Sequence, residues 1–263
     1  MISELIILET PQDIQDLLQK NRPYFILGKG SNTLLNPECK STLIAQLSQN
    51  FSEINHHKTT LRVPASTPVN ILLKYCQENQ LSGLEFCAGV PASVGGMIAM
   101  NFGCWGKSIS DIVTRVHISS EEGASWLDKN TLEFTYRSSI FHRKKWVIME
   151  AEFTCTSSPS DSIKKTVHDI IKDRSSKQPL KAKTFGSIFK NTPENFSAKI
   201  LEELGYKGKI YNHIQLSDQH ANFMVNLGGA TFQDAQKYIS EIIETVQKKQ
   251  GILLEPEVQF FTC

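Results

Sequence analysis

The sequence predicts an α+β protein, and three observations lead to this class. Short apolar strands flank an amphipathic helix near the N-terminus, a glycine-punctuated stretch with several successive strands follows, and a helix–strand pattern closes the chain. Hydrophobic residues make up 40% and charged residues 21% of the 263 residues, so a packed core is expected. The length allows one or two domains.

The first elements are strand, helix, strand and strand. A strand is predicted at Glu4–Leu8, and the following Thr10-Pro11 predicts the N-cap and first turn of a helix. Its apolar residues follow the helical spacing at Ile14, Leu17 and Leu18. Two further strands are predicted at Tyr24–Leu27 and Thr42–Ala45.

The middle of the chain contains one more helix and a run of strands. Thr67-Pro68 repeats the N-cap and proline signal of the first helix. The apolar face of this second helix consists of Val69, Leu72, Leu73 and Cys76. The strands are predicted at Val113–Ile118, Ser125–Leu127, Leu132–Tyr136 and Trp146–Thr154.

A small, polar, proline-containing run at 156–160 predicts a domain boundary. We therefore expect one domain at 1–155, with subdomains at about 1–55 and 56–155, and a second domain at 160–263. The second domain is predicted to contain an amphipathic helix around Ile163–Ile171, a short helix that ends at Gly205, a long helix from a capping box at Thr231 to Gly251, and a strand at Leu253–Phe261.

Composition argues against several classes of protein. Lys and Arg number 28 and Asp and Glu number 27, so the net charge of +1 argues against a nucleic-acid binder. No apolar run approaches the ~18 residues that span a bilayer, and the N-terminus lacks the pattern of a signal peptide. The six cysteines form no CxxC and no HExxH occurs, so we expect free thiols in a reducing cytoplasm and no metal site.

Two glycine-rich segments are the strongest indication of a ligand. Residues 27–32 read Leu-Gly-Lys-Gly-Ser-Asn, which lacks the spacing of a P-loop and of a Rossmann turn, so an ordinary tight turn explains it equally well. The segment Gly83–Gly106 contains six of the 15 glycines. Such density of small residues predicts main chain packed against a large cofactor, and a series of bulges and turns is the alternative.

The two segments, together with three further motifs, resemble one family. Gly28–Asn32 and Gly89–Gly96 are similar to the pyrophosphate loops of flavoproteins related to vanillyl-alcohol oxidase. Tyr136–Phe141 resembles YRxSxF, Gly186–Asn191 resembles GSxFKNP, and Leu254–Val258 resembles LxPEV. The chain is identified by these ordered motifs as similar to the UDP-N-acetylenolpyruvoylglucosamine reductase family over nearly its whole length.

The resemblance implies a fold and two cofactors. The fold is the FAD-binding fold of the vanillyl-alcohol oxidase type in two subdomains, followed by an α+β substrate domain. FAD is bound without a covalent link, and NADPH is the co-substrate. The residues implied to bind FAD are Gly28, Lys29, Gly30, Ser31, Asn32, Gly89, Pro91, Ala92, Ser93, Gly95, Gly96, Asn101, Gly103, Gly106 and Arg174.

The resemblance also implies a reaction and three catalytic residues. The family transfers hydride from NADPH through FAD to an enolpyruvyl ether, which yields UDP-N-acetylmuramate for peptidoglycan. Ser187 matches the proton donor, Arg137 the cation that stabilises the enolate, and Glu257 the third member of the site. We expect Glu257 to be protonated, or to act through water or Arg137, because an ionised carboxylate would repel the anionic intermediate.

Substrate contacts are expected from Lys190, Asn191, Gln178 and Gln219, whereas the neighbouring His220 is more typical of a structural histidine. Ala92 and Thr192 depart mildly from the family motifs, and the chain starts almost at the first strand, without the TFRxGG element of the family.

Two alternative functions stay open: another FAD-dependent oxidoreductase on the same fold, or a degenerate flavin-binding protein without catalysis. We further expect a cytoplasmic monomer or weak oligomer with a UDP-sugar substrate and no nucleic-acid or membrane partner.

Overall fold

A computed structural model describes residues 4–20, 22–49 and 51–262. The helices are α1 (Pro11–Leu18), α2 (Val69–Glu78), α3 (Val94–Ala99), α4 (Ile109–Ile112), α5 (Ser160–Lys177), α6 (Ser197–Glu203) and α7 (Phe232–Gln250). The strands are β1 (Leu5–Leu8), β2 (Tyr24–Ile26), β3 (Thr33–Leu35), β4 (Leu43–Leu47), β5 (Asn55–His57), β6 (Thr60–Pro64), β7 (Leu81–Ser82), β8 (Gly103–Cys104), β9 (Lys107–Ser108), β10 (Val113–Ser120), β11 (Gly123–Asp128), β12 (Val147–Thr154), β13 (Thr156–Ser157), β14 (Thr184–Ser187), β15 (Ile210–Tyr211), β16 (Ile214–Leu216), β17 (Phe223–Asn226) and β18 (Gln259–Phe261). The predicted α+β class is confirmed.

The described residues form two compact units. The large unit comprises Lys40–Lys172 together with the chain up to Lys29, and the small unit comprises Gly30–Cys39 together with the chain from Asp173 onward. Each unit has its own hydrophobic core. The predicted division into an FAD-binding domain at 1–155 and a substrate-binding domain at 160–263 stays a prediction.

The large unit contains two main sheets. One is parallel with the order β1-β4-β2, and the other is antiparallel with the order β11-β10-β12-β6-β5. Helix α1 begins with a capping box, in which Thr10 and Asp13 each bond the other's backbone N–H. Its apolar face is buried at Ile14, Leu17 and Leu18, as the helical spacing predicts.

The small unit is built around helix α7. Thr231 and Asp234 form the predicted capping box, and Gly251 ends the helix with a φ of 72°. Its buried face packs in one core with residues of the antiparallel sheet β14-β17-β16-β15. Strand β3, from the early part of the chain, pairs in parallel with β18.

The structure corrects three predicted elements. Helix α2 has Pro68 as its N-cap rather than Thr67. The predicted strand Leu132–Tyr136 is wrong, because a turn with positive φ at Glu133 (49°) and Arg137 (56°) replaces it. The predicted strand Leu253–Phe261 is reduced to β18, since Pro256 lies in its first half and forms only an isolated bridge with Phe189.

The cysteines also differ from the expectation. Cys76 and Cys155 are free thiols, whereas Cys39 is disulfide-bonded. The expectation of a free thiol is therefore wrong for Cys39, and Cys263 lies outside the described residues. Burial raises the pKa of the Cys155 thiol to about 11, which disfavours a reactive thiolate there.

Membrane spans and metal clusters are both absent from the described ranges. None of their helices combines the length and apolar character that a bilayer crossing requires. Over the same residues, no group of three or more His, Cys, Asp or Glu side chains is arranged to hold a metal ion.

Candidate functional site

Gly28, at the start of the first glycine segment, lies beside the second glycine segment within the large unit. A Cβ atom on Gly28 would be 2.7 Å from Ser93 Oγ and 3.9 Å from the Gly96 Cα. Ser93 is the N-cap of α3, and its hydroxyl accepts the Gly96 N–H at 3.4 Å. The main chain at Gly28 therefore lies against the first turn of α3, where a Cβ atom would displace the capping hydroxyl of Ser93.

The first segment presents a row of unused hydrogen-bond donors. Among the described residues, no protein acceptor takes the backbone N–H of any residue from Gly28 to Asn32. Gly30 has a φ of 70°, and the segment is half-buried except at Lys29. Half-buried amides require an acceptor, and successive amides around a left-handed residue form a concavity that suits an anion.

The second segment shows a similarly close approach of main chain. A Cβ atom on Gly95 would be 3.0 Å from Ala65 Cβ, and the Gly95 N–H donates to the Ala65 carbonyl at 2.8 Å. The residue after Ala65, Ser66, has a buried hydroxyl without a partner among the described residues. Unsatisfied donors and glycine-lined space in one place fit the FAD that the resemblance implies.

Arg137 is held by the segment that follows α3. Its guanidinium donates to the Gly103 carbonyl at 2.8 Å and lies over the rings of Phe102 and Tyr136 at 5.6 and 5.3 Å. Asn101 is buried, donates to the Thr135 carbonyl at 2.9 Å and accepts the Ser110 N–H at 3.0 Å. Both ends of the Asn101 side-chain amide therefore contact protein backbone. A Cβ atom on Gly106 would have no described atom within 4 Å.

Ser187 and Glu257 are brought together in the small unit. Ser187 ends β14 after a register shift of the sheet, and Gly186 has a φ of 84°. The next residue, Ile188, accepts the Glu257 N–H at 2.8 Å through its carbonyl. Asn32 Nδ2 donates to the Glu257 carbonyl at 3.1 Å. The bulge re-aims Ser187 at the strand end, and both Ser187 and Glu257 are half-buried.

Lys190 and Asn191 extend from the same strand end. Lys190 Nζ donates to the Glu255 carboxylate at 2.5 Å. The Asn191 side chain accepts the Ser197 N–H at 3.1 Å, and the Ser197 hydroxyl donates to the Lys190 carbonyl. The fully buried Ser197 thus fixes both candidates at the start of α6.

The remaining candidates cluster at the end of α5. Arg174 is 7% exposed, and its guanidinium donates to the Gln178 side chain at 3.3 Å. Gln219 Nε2 donates to the Ser175 carbonyl at 2.7 Å. These three residues are neighbours in the small unit, and the positive charge of Arg174 suits the C-terminal end of a helix.

Sequence reasoning missed Asn222, which is 3% exposed. Its side chain bonds both backbone groups of Phe189, at 3.0 and 2.8 Å. The adjacent His220 packs edge-on against Phe223 at 4.8 Å, and burial lowers its pKa, as expected of a structural histidine. In the sequence, the only indication of this role is a polar asparagine directly before the apolar residues of β17. The local sequence does not show which backbone groups this asparagine contacts.

Family comparisons match both parts of the chain. Residues 3–125 match the family described as FAD binding domain. Residues 178–261 match the family described as UDP-N-acetylenolpyruvoylglucosamine reductase, C-terminal domain.

Individual relatives and a solved structure are similar over nearly the full chain. The UDP-N-acetylenolpyruvoylglucosamine reductase of Thermotoga sp. (strain RQ2) is 35% identical over 260 residues, which cover 97% of this chain and 86% of that protein. The enzyme of the same name from Clostridioides difficile (strain 630) is 33% identical over 92% of this chain and 80% of its own length. The crystal structure of the enzyme from Thermus caldophilus matches with a TM-score of 0.85 and 28% identity, over 99% of this chain and 92% of that one.

Proposed function

Because this chain belongs to the UDP-N-acetylenolpyruvoylglucosamine reductase family, we propose that it reduces UDP-N-acetylglucosamine enolpyruvate to UDP-N-acetylmuramate with NADPH. The chain is an FAD-dependent oxidoreductase of peptidoglycan synthesis. One observation of geometry carries the proposal: Ser187 and Glu257 are joined through Ile188, whose carbonyl accepts the Glu257 N–H at 2.8 Å. A proton donor and a carboxyl group fixed to one backbone segment are what the protonation step requires.

FAD is held by the two glycine segments in this proposal. The unused N–H groups of Gly28, Lys29, Gly30, Ser31 and Asn32 would hold its negatively charged part, and Lys29 would add a positive charge. The other residues proposed to contact FAD are Gly89, Pro91, Ala92, Ser93, Gly95, Gly96, Asn101, Gly103, Gly106 and Arg174. When bound, FAD supplies a two-electron carrier that links NADPH oxidation to reduction of the enolpyruvyl double bond.

Ser187 protonates the substrate in this proposal. Hydride addition at the terminal carbon of the enolpyruvyl ether leaves the adjacent carbon strongly basic, so even a weak acid such as a serine hydroxyl protonates it. Ser187 lies at the end of β14, where the register of the sheet shifts, and this is the position from which its hydroxyl would donate the proton.

Arg137 and Glu257 complete the proposed catalytic set. The Arg137 guanidinium, fixed by the Gly103 carbonyl, stabilises negative charge on the substrate carboxylate as the enolate develops. Glu257 lies next to Ser187 along the Ile188 backbone, where its carboxyl group orients the proton donor or a water molecule.

Lys190, Asn191, Gln178 and Gln219 are the proposed contacts to the UDP-sugar. Lys190 is the charged member, and its side chain is 17% exposed, so it reaches an anionic ligand only at the expense of its pair with Glu255. NADPH and a UDP-sugar must both be available to the enzyme, and we place the reaction in the cytoplasm. We propose a monomer or weak oligomer.

Anaerobic reduction tests the proposed function. The purified protein is reduced with NADPH, and the flavin absorbance band at the visible wavelengths is followed after addition of UDP-N-acetylglucosamine enolpyruvate. Return of the band, with formation of UDP-N-acetylmuramate, is the expected result. A protein that NADPH reduces but that the enolpyruvyl substrate does not reoxidise would instead be another flavin oxidoreductase of this fold.

A further inference from the structure

The backbone that carries the proposed catalytic residues is supported by one buried side chain. Strand β14 ends at Ser187, so Ile188 and Phe189 lie beyond the regular pairing with β17. Asn222 Oδ1 accepts the Phe189 N–H at 3.0 Å, and Asn222 Nδ2 donates to the Phe189 carbonyl at 2.8 Å. The Asn222 carbonyl accepts the Ile188 N–H at 2.9 Å. Asn222 therefore supplies the hydrogen bonds that a neighbouring strand would otherwise make with Ile188 and Phe189.

The other backbone groups of this segment bond the chain that carries Glu257. The Ile188 carbonyl accepts the Glu257 N–H at 2.8 Å, and the Lys190 N–H donates to the Glu255 carbonyl at 2.9 Å. Ile188 and Phe189 are thus bonded by Asn222 on one edge and by the segment with Glu257 on the other. A shift of Phe189 would change the position of Glu257 and of Ser187 together.

We infer that Asn222 is a positioning residue for the proposed reduction, and that its side-chain amide fixes Ser187 relative to Glu257. The inference rests on the proposed function. Asn222 is 3% exposed, so it touches no substrate and acts through the Phe189 backbone. The asparagine side-chain amide contains one hydrogen-bond donor group and one acceptor. Phe189 has no strand partner, so its backbone N–H needs an acceptor and its carbonyl needs a donor. Asparagine is therefore the side chain that this position requires.

The test compares Asn222→Asp with the parent holoenzyme in stopped-flow absorbance of the flavin. An aspartate keeps the oxygen that accepts the Phe189 N–H but places a second oxygen against the Phe189 carbonyl. We expect reduction by saturating NADPH to stay near the parent rate. Reoxidation by the enolpyruvyl substrate should slow by about 10-fold or more, because small misplacements of catalytic groups have large kinetic effects.

Acid should rescue the variant. When the carboxyl group introduced by Asn222→Asp is protonated, it regains a donor for the Phe189 carbonyl, and burial raises the pKa of such a group. The ratio of variant to parent reoxidation rates should therefore rise as the pH falls from about 8 to about 5.5. His220, whose Nδ1 accepts the Asn222 N–H at 3.3 Å, is the neighbouring titratable group, and Glu202 and Lys207 act on it electrostatically. All three are present in both proteins, so the ratio removes their effect.

Val246→Ala is the matched control, because Val246 is fully buried in the same core and bonds neither Ile188 nor Phe189. It should lower the melting temperature without separating the two half-reactions. If Asn222→Asp reoxidises at the parent rate, or only loses stability as Val246→Ala does, the inference is overturned. A parent that the substrate does not reoxidise overturns the proposed function and this inference with it. Should Asn222→Asp fail to fold, Asn222→Ser, whose hydroxyl serves one Phe189 group, undergoes the same comparison.

Discussion

At the scale of single residues, the proposed catalytic side chains depend on unusual backbone conformations. Arg137 has a φ of 56°, within a turn in which the Thr135 and Ser138 backbones bond each other. Gly186, directly before Ser187, has a φ of 84°. A left-handed conformation costs a non-glycine residue about 1–2 kcal/mol, so arginine at position 137 lowers the stability of this turn relative to glycine.

Comparison of two Arg137 variants should reveal this strain. Arg137→Ala and Arg137→Gly both remove the guanidinium and its bond to Gly103, but only glycine adopts a positive φ without a penalty. We expect Arg137→Gly to exceed Arg137→Ala in free energy of unfolding by about 1 kcal/mol, measured by urea denaturation. Both should impair reoxidation by the substrate. Equal stability of the two variants would show that the turn relaxes without glycine.

Replacement of Ser187 should separate the two half-reactions. Ser187→Ala removes the proposed proton donor, so reduction of the flavin by NADPH should stay near the parent rate while reoxidation by the enolpyruvyl substrate falls at least ~10²-fold. Ser187→Cys should retain more activity than Ser187→Ala, since a thiol also donates a proton. Stopped-flow absorbance measures each half-reaction by itself. Unimpaired reoxidation in Ser187→Ala would exclude Ser187 from the mechanism.

At the scale of elements, the sequence predicted the helices with clear caps and apolar faces. Helix α7 lies where its capping box and Gly251 place it. Helix α3 was missed, because its sequence starts Val-Gly-Gly and glycine disfavours helix interiors by about 1 kcal/mol. The predicted strand Leu132–Tyr136 was wrong because alternating apolar residues also occur in an irregular segment, here one in which only Leu132 is buried. The positive φ at Glu133 and Arg137 has no glycine signal.

The first glycine segment should be needed for FAD more than for folding. Gly30 has a φ of 70°, which a β-branched residue resists, so Gly30→Val should distort the unused N–H groups of Gly28–Asn32 and weaken FAD binding. Gly251→Val is the matched control, since Gly251 has a φ of 72° with open space around it and lies at a helix end. Both variants should lose stability, but only Gly30→Val should lose FAD affinity in a flavin fluorescence titration. Equal FAD affinity in both would make the segment an ordinary turn.

Three central strands of the large unit are joined by one carboxylate. Glu152 in β12 bonds Arg115 in β10 and Arg62 in β6, and the Arg115 hydrogen bond holds the pKa of Glu152 below its usual value. A lowered pKa stabilises the folded state above the unfolded pKa, and this contribution is lost as the pH falls through the folded pKa. Glu152→Gln should reduce the free energy of unfolding by about 1–2 kcal/mol at neutral pH and by less in acid. Urea denaturation across pH checks this, with the exposed pair of Glu78 and Lys74 as the control, where Glu78→Gln should have little effect.

At the scale of the whole molecule, each compact unit combines segments that lie far apart in the sequence. The segment Gly30–Cys39 belongs to the small unit, where Thr33–Leu35 pairs with Gln259–Phe261 near the other end of the chain. Asn32 likewise reaches the Glu257 carbonyl from 225 positions away. The motifs give candidate residues for the site, and these stay a prediction. Pairings between distant parts of the chain are set by tertiary packing, and no local sequence pattern contains them.

The cofactor should stabilise the folded protein as a reversibly bound ligand. FAD that binds the native state and not the unfolded chain adds about 2.7 kcal/mol at a concentration 100 times its Kd. Acid precipitation should release the flavin into solution, since no covalent attachment is expected, and the apoprotein should melt at a lower temperature than the holoprotein. Adding FAD back should raise the melting temperature with concentration, and Gly30→Val should need more FAD for the same rise. Flavin that stays with the precipitated protein would contradict the non-covalent site, and a melting temperature that FAD does not change would contradict binding by the glycine segments.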